Sequence, residues 1–214
     1  MELRYTDIMH SSLPRTVTAV ACSLFLSLTA CGGDDISSDE QARRAYLGLD
    51  TSVSKALQLG FAGFNAASSA NIPPQSTTGG VSGTLLVTGQ VDQGSSANKG
   101  MRLRIGMTGY SDGEIVLGED EDPVNITYAS GTDTTTQPEL TLQLRDIPDG
   151  TFTGTLEGPF QMTGDLEGSV TLDLALTGEL EDDGTGQVRR TPGSTRVTGT
   201  ATSGDGVYTV DVTR

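Results

Sequence analysis

Thiol and imidazole are the side chains that most often do chemistry near neutral pH, and this chain has two cysteines and one histidine. Cys22 lies inside the apolar run Val17–Leu28, Cys31 follows Leu28-Thr29-Ala30, and His10 precedes the run. Pro14-Arg15, a short apolar run and then small residues form the pattern of a secretory signal. Its twelve residues would span roughly 18 Å as a helix, too short for a bilayer core of about 30 Å. A cut between Ala30 and Cys31 removes His10 and Cys22 together. The remaining chain then has one cysteine, no histidine and no tryptophan. That excludes Ser-His-Asp and Cys-His nucleophile pairs, His-containing zinc sites and an internal disulfide. Carboxylate, hydroxyl, lysine and tyrosine chemistry are what is left.

Among these, Asp112-Gly113-Glu114 and the run Glu119 to Asp122 offer oxygen ligands of the kind calcium takes, with Asp112, Glu114, Asp120 and Asp122 as the candidates. Their spacing matches neither the EF-hand loop nor the glycine-rich nonapeptide, so a solvated acidic loop is the plainer reading. A glycosidase pair has no more support than any acidic surface gives it. Lys99, Arg102 and Arg104 suggest a small basic strip for an anionic glycan or lipid head group; the alternative is arginines paired with acids across a sheet. Gly32-Gly33 and Gly79-Gly80 lack the lysine and the strand-to-helix setting of a phosphate loop.

Leu28-Thr29-Ala30-Cys31 resembles the lipobox of bacterial lipoprotein signal peptides. The resemblance covers residues 9–31 and implies cleavage between Ala30 and Cys31, acylation of Cys31 and attachment to a membrane, with no cofactor beyond that covalent lipid. Gly32 in place of an aspartate implies the outer membrane, facing either the periplasm or the cell surface. Residues 1–8 carry Glu2 and Asp7 where such signals are usually basic, and a start at Met9 gives a more ordinary signal. The rest of the chain resembles no characterised family.

The net charge is −15, and removal of residues 1–30 leaves it unchanged because Arg4 and Arg15 cancel Glu2 and Asp7. Such acidity disfavours nucleic acid and anionic lipid surfaces as partners. The expected organisation is a signal at 1–30, a lipidated tether at 31–36, an amphipathic helix within 37–70, a Pro- and Ser-rich linker at 71–80 and a β-rich domain at 81–214, helix and sheet forming one domain. Ser37-Ser38-Asp39-Glu40 reads as a capping box. Ala42, Tyr46, Leu49, Val53, Leu57, Gly60 and Phe64 recur at helical spacing, predicting a helix from about Ser38 to Ala67. Gly48, Gly60 and Gly63 weaken an isolated helix and imply a close neighbour.

From Val81 the period changes to two. Met101, Leu103, Ile105 and Met107 alternate with Arg102, Arg104, Gly106 and Thr108, and Leu140 to Leu144 and Val170 to Leu180 follow suit. Thr-Gly-x-Leu-Glu occurs at Thr153, Thr163 and Thr177, a spacing that fits successive strands, with glycines that let a sheet bend. The fold expected is mainly β: an antiparallel up-and-down meander or partly open barrel of about nine strands, one N-terminal helix against its open side, and a two-layer sandwich as the alternative. The function expected is non-catalytic, structural or interacting, in the cell envelope. The alternatives are a lipocalin-like carrier enclosing an apolar ligand, and low-affinity binding of calcium or glycan.

Overall fold

The computed structural model describes residues 35–116, 121–204 and 206–214. The expected signal, with Ala30 and Cys31, and Asp120 of the acidic run lie outside the described residues.

The chain first forms one helix with a bend, α1 (Asp39–Leu47) and α2 (Asp50–Ala66). Ser38 is the N-cap, its hydroxyl accepting from the Gln41 amide at 3.2 Å. The capping box therefore sits one residue later than Ser37-to-Glu40. Both registers fit the sequence, but Glu40 is drawn to Arg43 and Arg44, each at 2.8 Å. Gln41 reaches back to the Ser37 amide at 2.7 Å instead.

Ten strands follow: β1 (Asn71–Thr78), β2 (Ser82–Val91), β3 (Lys99–Ser111), β4 (Ile126–Ala129), β5 (Glu139–Arg145), β6 (Thr151–Gly164), β7 (Gly168–Asp182), β8 (Val188–Arg190), β9 (Arg196–Ser203) and β10 (Gly206–Thr213). All pairings are antiparallel, in the order β1-β2-β3-β4-β6-β7-β9-β10. β4 and β5 share one place in this order. Both lie between β3 and β6, β5 along the first half of β3 and β4 at its far end. β8 extends β7 alone.

The meander curls, but β1 and β10 do not pair, so it is an open ring and not a true barrel. The helix lies across the opening: α1 packs on β10, and α2 on β1, β2 and β8. An edge strand left bare is a template for aggregation. Here the Asp39 carboxylate accepts from the Thr209 amide of β10 at 2.7 Å. The other edge, β1, carries Pro73-Pro74 at an irregularity between Ile72 and Gln75.

Residues 71–80 are thus mostly a strand and not the expected linker. Proline is tolerated at an edge because one side of that backbone needs no donors, and β1 is such an edge. Between β3 and β4 the described residues show a single bridge, Ile115 to Val124.

Leu85, Val87 and Val91 of β2, the odd positions Met101 to Met107 of β3, and the even positions Leu140 to Leu144 of β5 and Val170 to Leu176 of β7 face inward and are buried. Tyr46, Leu49, Val53 and Leu57 of the helix join them in one continuous core. The helix glycines mark where it comes closest to the sheet. A Cβ on Gly60 would stand 3.0 Å from Met101 Sδ, and one on Gly63 2.8 Å from Ile72 Cδ1. The three Thr-Gly-x-Leu-Glu copies do not share one role. Thr153 and Thr177 face each other across β6 and β7, whereas the copy beginning at Thr163 forms the turn between those strands.

Candidate functional site

Three clusters of polar groups are built on this frame, and two of them join elements together. In the first, β8 brings Arg190 under the helix. Its guanidinium donates to both Asp50 carboxylate oxygens at 2.9 and 3.0 Å, to the Asp50 carbonyl at 2.9 Å and to Ser54 Oγ at 2.7 Å. The Tyr46 hydroxyl donates to the same carboxylate at 2.7 Å. The paired side chains are only 8% and 13% exposed. Burial pushes the Tyr46 phenol far above its ordinary range, and the Asp50 charge adds to this. It stays protonated and serves as a donor.

In the second, Lys55 of α2 reaches Asp112 just beyond β3 at 2.5 Å. Tyr110 and the Gly80 amide also donate to Asp112, at 2.6 and 2.9 Å. Burial by itself raises the Asp112 carboxyl, but hydrogen bonds from Lys55, Tyr110 and Gly80, with the Lys55 charge, outweigh it and hold the group below its ordinary 3.8.

A depressed carboxyl contributes stability that is complete above the unfolded-state value and lost as pH falls through the folded one. Asp112→Asn is therefore expected to destabilise the fold at pH 6–7, with the difference from the native chain shrinking once pH drops below about 4. Urea unfolding across that pH series measures it. A difference independent of pH would remove the carboxylate from the account.

Of the calcium candidates, Asp112 is committed to these donors, Glu114 and Asp122 are exposed, and Asp120 is outside the described residues. Among the described residues no group of three or more His, Cys, Asp or Glu is placed to hold a metal ion. The expected basic strip is not formed. Arg102 pairs with Asp92 at 3.3 Å and Arg104 with Glu139 on the next strand at 2.6 Å, the cross-strand alternative. Lys99 has turned inward.

Lys99 makes the third cluster, on the opposite face of β3 from the expected strip. It is the first residue of β3 and shares the parity of Met101, Leu103 and Ile105, which point to the core. That parity was the signal available. The residue is 5% exposed. Its ammonium donates to the Gly94 carbonyl and lies 4.5 Å from the centre of the Phe64 ring. No carboxylate pairs with it among the described residues.

Beside it opens a groove of about 350 Å³, lined by Phe61, Ala62 and Phe64 of α2, Ile147 between β5 and β6, and Gly186 to Val188 where β7 turns into β8. Phe61 and Phe64 are half-buried there, unlike Val53 and Leu57 on the same helix. A mostly apolar concavity of this size with one fixed charge has the composition of a small-molecule site. The arrangement can bind and orient.

The fold and these clusters define a helix-closed open antiparallel ring with a groove at one end. No family model, no curated protein and no solved structure matches the chain. Among the described residues no helix is long and apolar enough to cross a membrane.

Proposed function

We propose that this protein is a lipid-tethered ectodomain of the bacterial cell envelope, attached through acyl groups on Cys31 to the outer membrane, and that it works without catalysis as a structural or interaction module. The observation that carries the reading is how soon the fold begins after Cys31. Ile36 is wholly buried, and its carbonyl accepts from Ser203 Oγ at 2.7 Å. The five steps from Cys31 to Ile36 reach at most about 18 Å, so an anchor at Cys31 holds the domain against the bilayer surface.

Ile36 docks where β9 turns into β10, and Asp35 packs on Gly168 where β6 turns into β7. That end of the ring faces the membrane. Lys99 begins β3, and the β7–β8 turn lies at the opposite strand ends, so the groove faces away. Two further observations support the non-catalytic part of the reading. The ring interior holds helix side chains, and the two most buried charge pairs among the described residues, Arg190–Asp50 and Lys55–Asp112, join the helix to the sheet.

Metabolic labelling with palmitate tests the anchor. The native chain is expected to take up label and sediment with envelopes, and Cys31→Ser to lose both. Label on the Cys31→Ser chain, or its full retention in the envelope fraction, would overturn the proposal.

A further inference from the structure

We infer that the groove beside Lys99 is a binding site for a small apolar molecule carrying one carboxylate, such as a short fatty acid, with its apolar body against Phe61, Phe64, Ile147 and Val188 and its carboxylate on the Lys99 ammonium. The inference goes beyond the anchored, non-catalytic reading and does not depend on it, since it concerns only the folded domain.

The charge of Lys99 is the reason. Taking an ammonium out of water is costly unless it is paired and hydrogen-bonded, and breaking a buried pair is among the more destabilising changes a protein can suffer. Arg190, similarly buried, is fully matched by a carboxylate, a carbonyl and a hydroxyl. Lys99 has three N–H donors and is given one carbonyl and one aromatic face among the described residues. A carbonyl and a ring satisfy part of that demand and none of the formal charge. The chain is otherwise rich in acids, with 28 Asp and Glu against 13 Lys and Arg, so a buried cation with no carboxylate partner among the described residues runs against its overall charge.

The walls set the rest of the ligand. The β5–β6 connection and the start of β8 close one side through Ile147 and Val188, and α2 supplies two aromatic rings one helical turn apart. Gln58, Asn65 and Gln187 stand at the same groove and leave room for a polar group near its mouth. A cationic ligand is excluded by Lys99, and a purely polar one gains nothing from the two rings. The β7–β8 hairpin that forms one wall is held to α2 by Arg190 and Asp50, which keeps the groove open to a defined width.

The experiment is calorimetric titration of the full chain, made cell-free so that no host lipid accompanies it, with octanoate, 1-octanol, octylammonium and 4-phenylbutanoate. Octanoate is expected to bind about tenfold to a hundredfold more tightly than 1-octanol, the difference a charge-assisted hydrogen bond makes, and octylammonium not at all. Lys99→Met keeps the apolar stem and is expected to abolish the preference for octanoate over the alcohol. Ala62→Phe fills the groove from an exposed helix position, leaves Lys99 untouched and is expected to abolish binding of both. Circular dichroism on each variant separates lost binding from lost fold.

Should Lys99→Met fail to fold, Ala62→Phe still decides the matter. Tighter binding of 4-phenylbutanoate keeps the carboxylate assignment and makes the apolar body an aryl group. Equal binding of octanoate and 1-octanol, or octanoate binding undiminished by Ala62→Phe, overturns the inference.

Discussion

Replacing Arg190 by leucine is expected to cost about 3–5 kcal/mol of folding stability, because the Asp50 carboxylate is then left buried without its cation. For a domain of this size that is a fall in Tm on the order of 10 °C. Asp50→Leu should cost a similar amount by stranding the guanidinium instead. The double variant should cost less than the sum of the two, since neither charge is then left alone.

The contrast within the same molecule fixes the cause. Arg196 pairs with Asp211 at the same 2.9 Å, but those side chains are 61% and 56% exposed. Arg196→Leu is expected to cost no more than about 1 kcal/mol. Chemical denaturation of the four variants compares a buried, multiply bonded pair with an exposed one at the same N–O distance. If Arg190→Leu and Arg196→Leu proved equal, the Arg190 network would not be what fastens the β7–β8 hairpin to the helix.

The second large effect is expected at the bend between α1 and α2. There the Leu49 amide donates to the Tyr46 carbonyl at 2.8 Å, one residue short of the helical partner. The Ala45 carbonyl accepts instead from the Tyr128 hydroxyl of β4, at 2.7 Å and wholly buried. Tyr128 gets that close only because residue 48 is glycine. A Cβ there would collide with the hydroxyl and stand 3.2 Å from the ring.

Tyr128→Phe is expected to cost about 1–3 kcal/mol, the desolvation of a buried carbonyl left without a donor. Gly48→Ala should cost about the same through overpacking. Combined, they should fall short of additivity by roughly 0.5 kcal/mol or more, because removal of the hydroxyl also removes the worst of the collision. Strict additivity in urea titrations would mean that the bend does not depend on this contact.

Much of the ring was legible beforehand, for a specific reason. A strand with one face in the core must alternate, so Met101-Leu103-Ile105-Met107 and Leu140-Leu142-Leu144 announced both their conformation and their inward side. The helix face from Ala42 to Gly60 was equally plain, and its glycines rightly implied a close neighbour. Phe64 was read as part of that face but is half-buried at the groove. For Arg102 and Arg104 the cross-strand alternative to a basic strip is the one that forms, and the parity of Lys99, not its charge, places it inward.

Linear order carries the period of each element and most of the residues that leave water, because burial of one face selects for pattern along the chain. It also placed Cys31 after an apolar run, which is a property of linear order alone. Contacts across space decide that Asn71–Thr78 is an edge strand despite two prolines, that β1 and β10 stay apart, and that Lys99 borders a groove with no acid beside it among the described residues. These depend on what lies across space from a residue, and Asp50 with Arg190, or Lys55 with Asp112, are too far apart in the chain for any local spacing to join them.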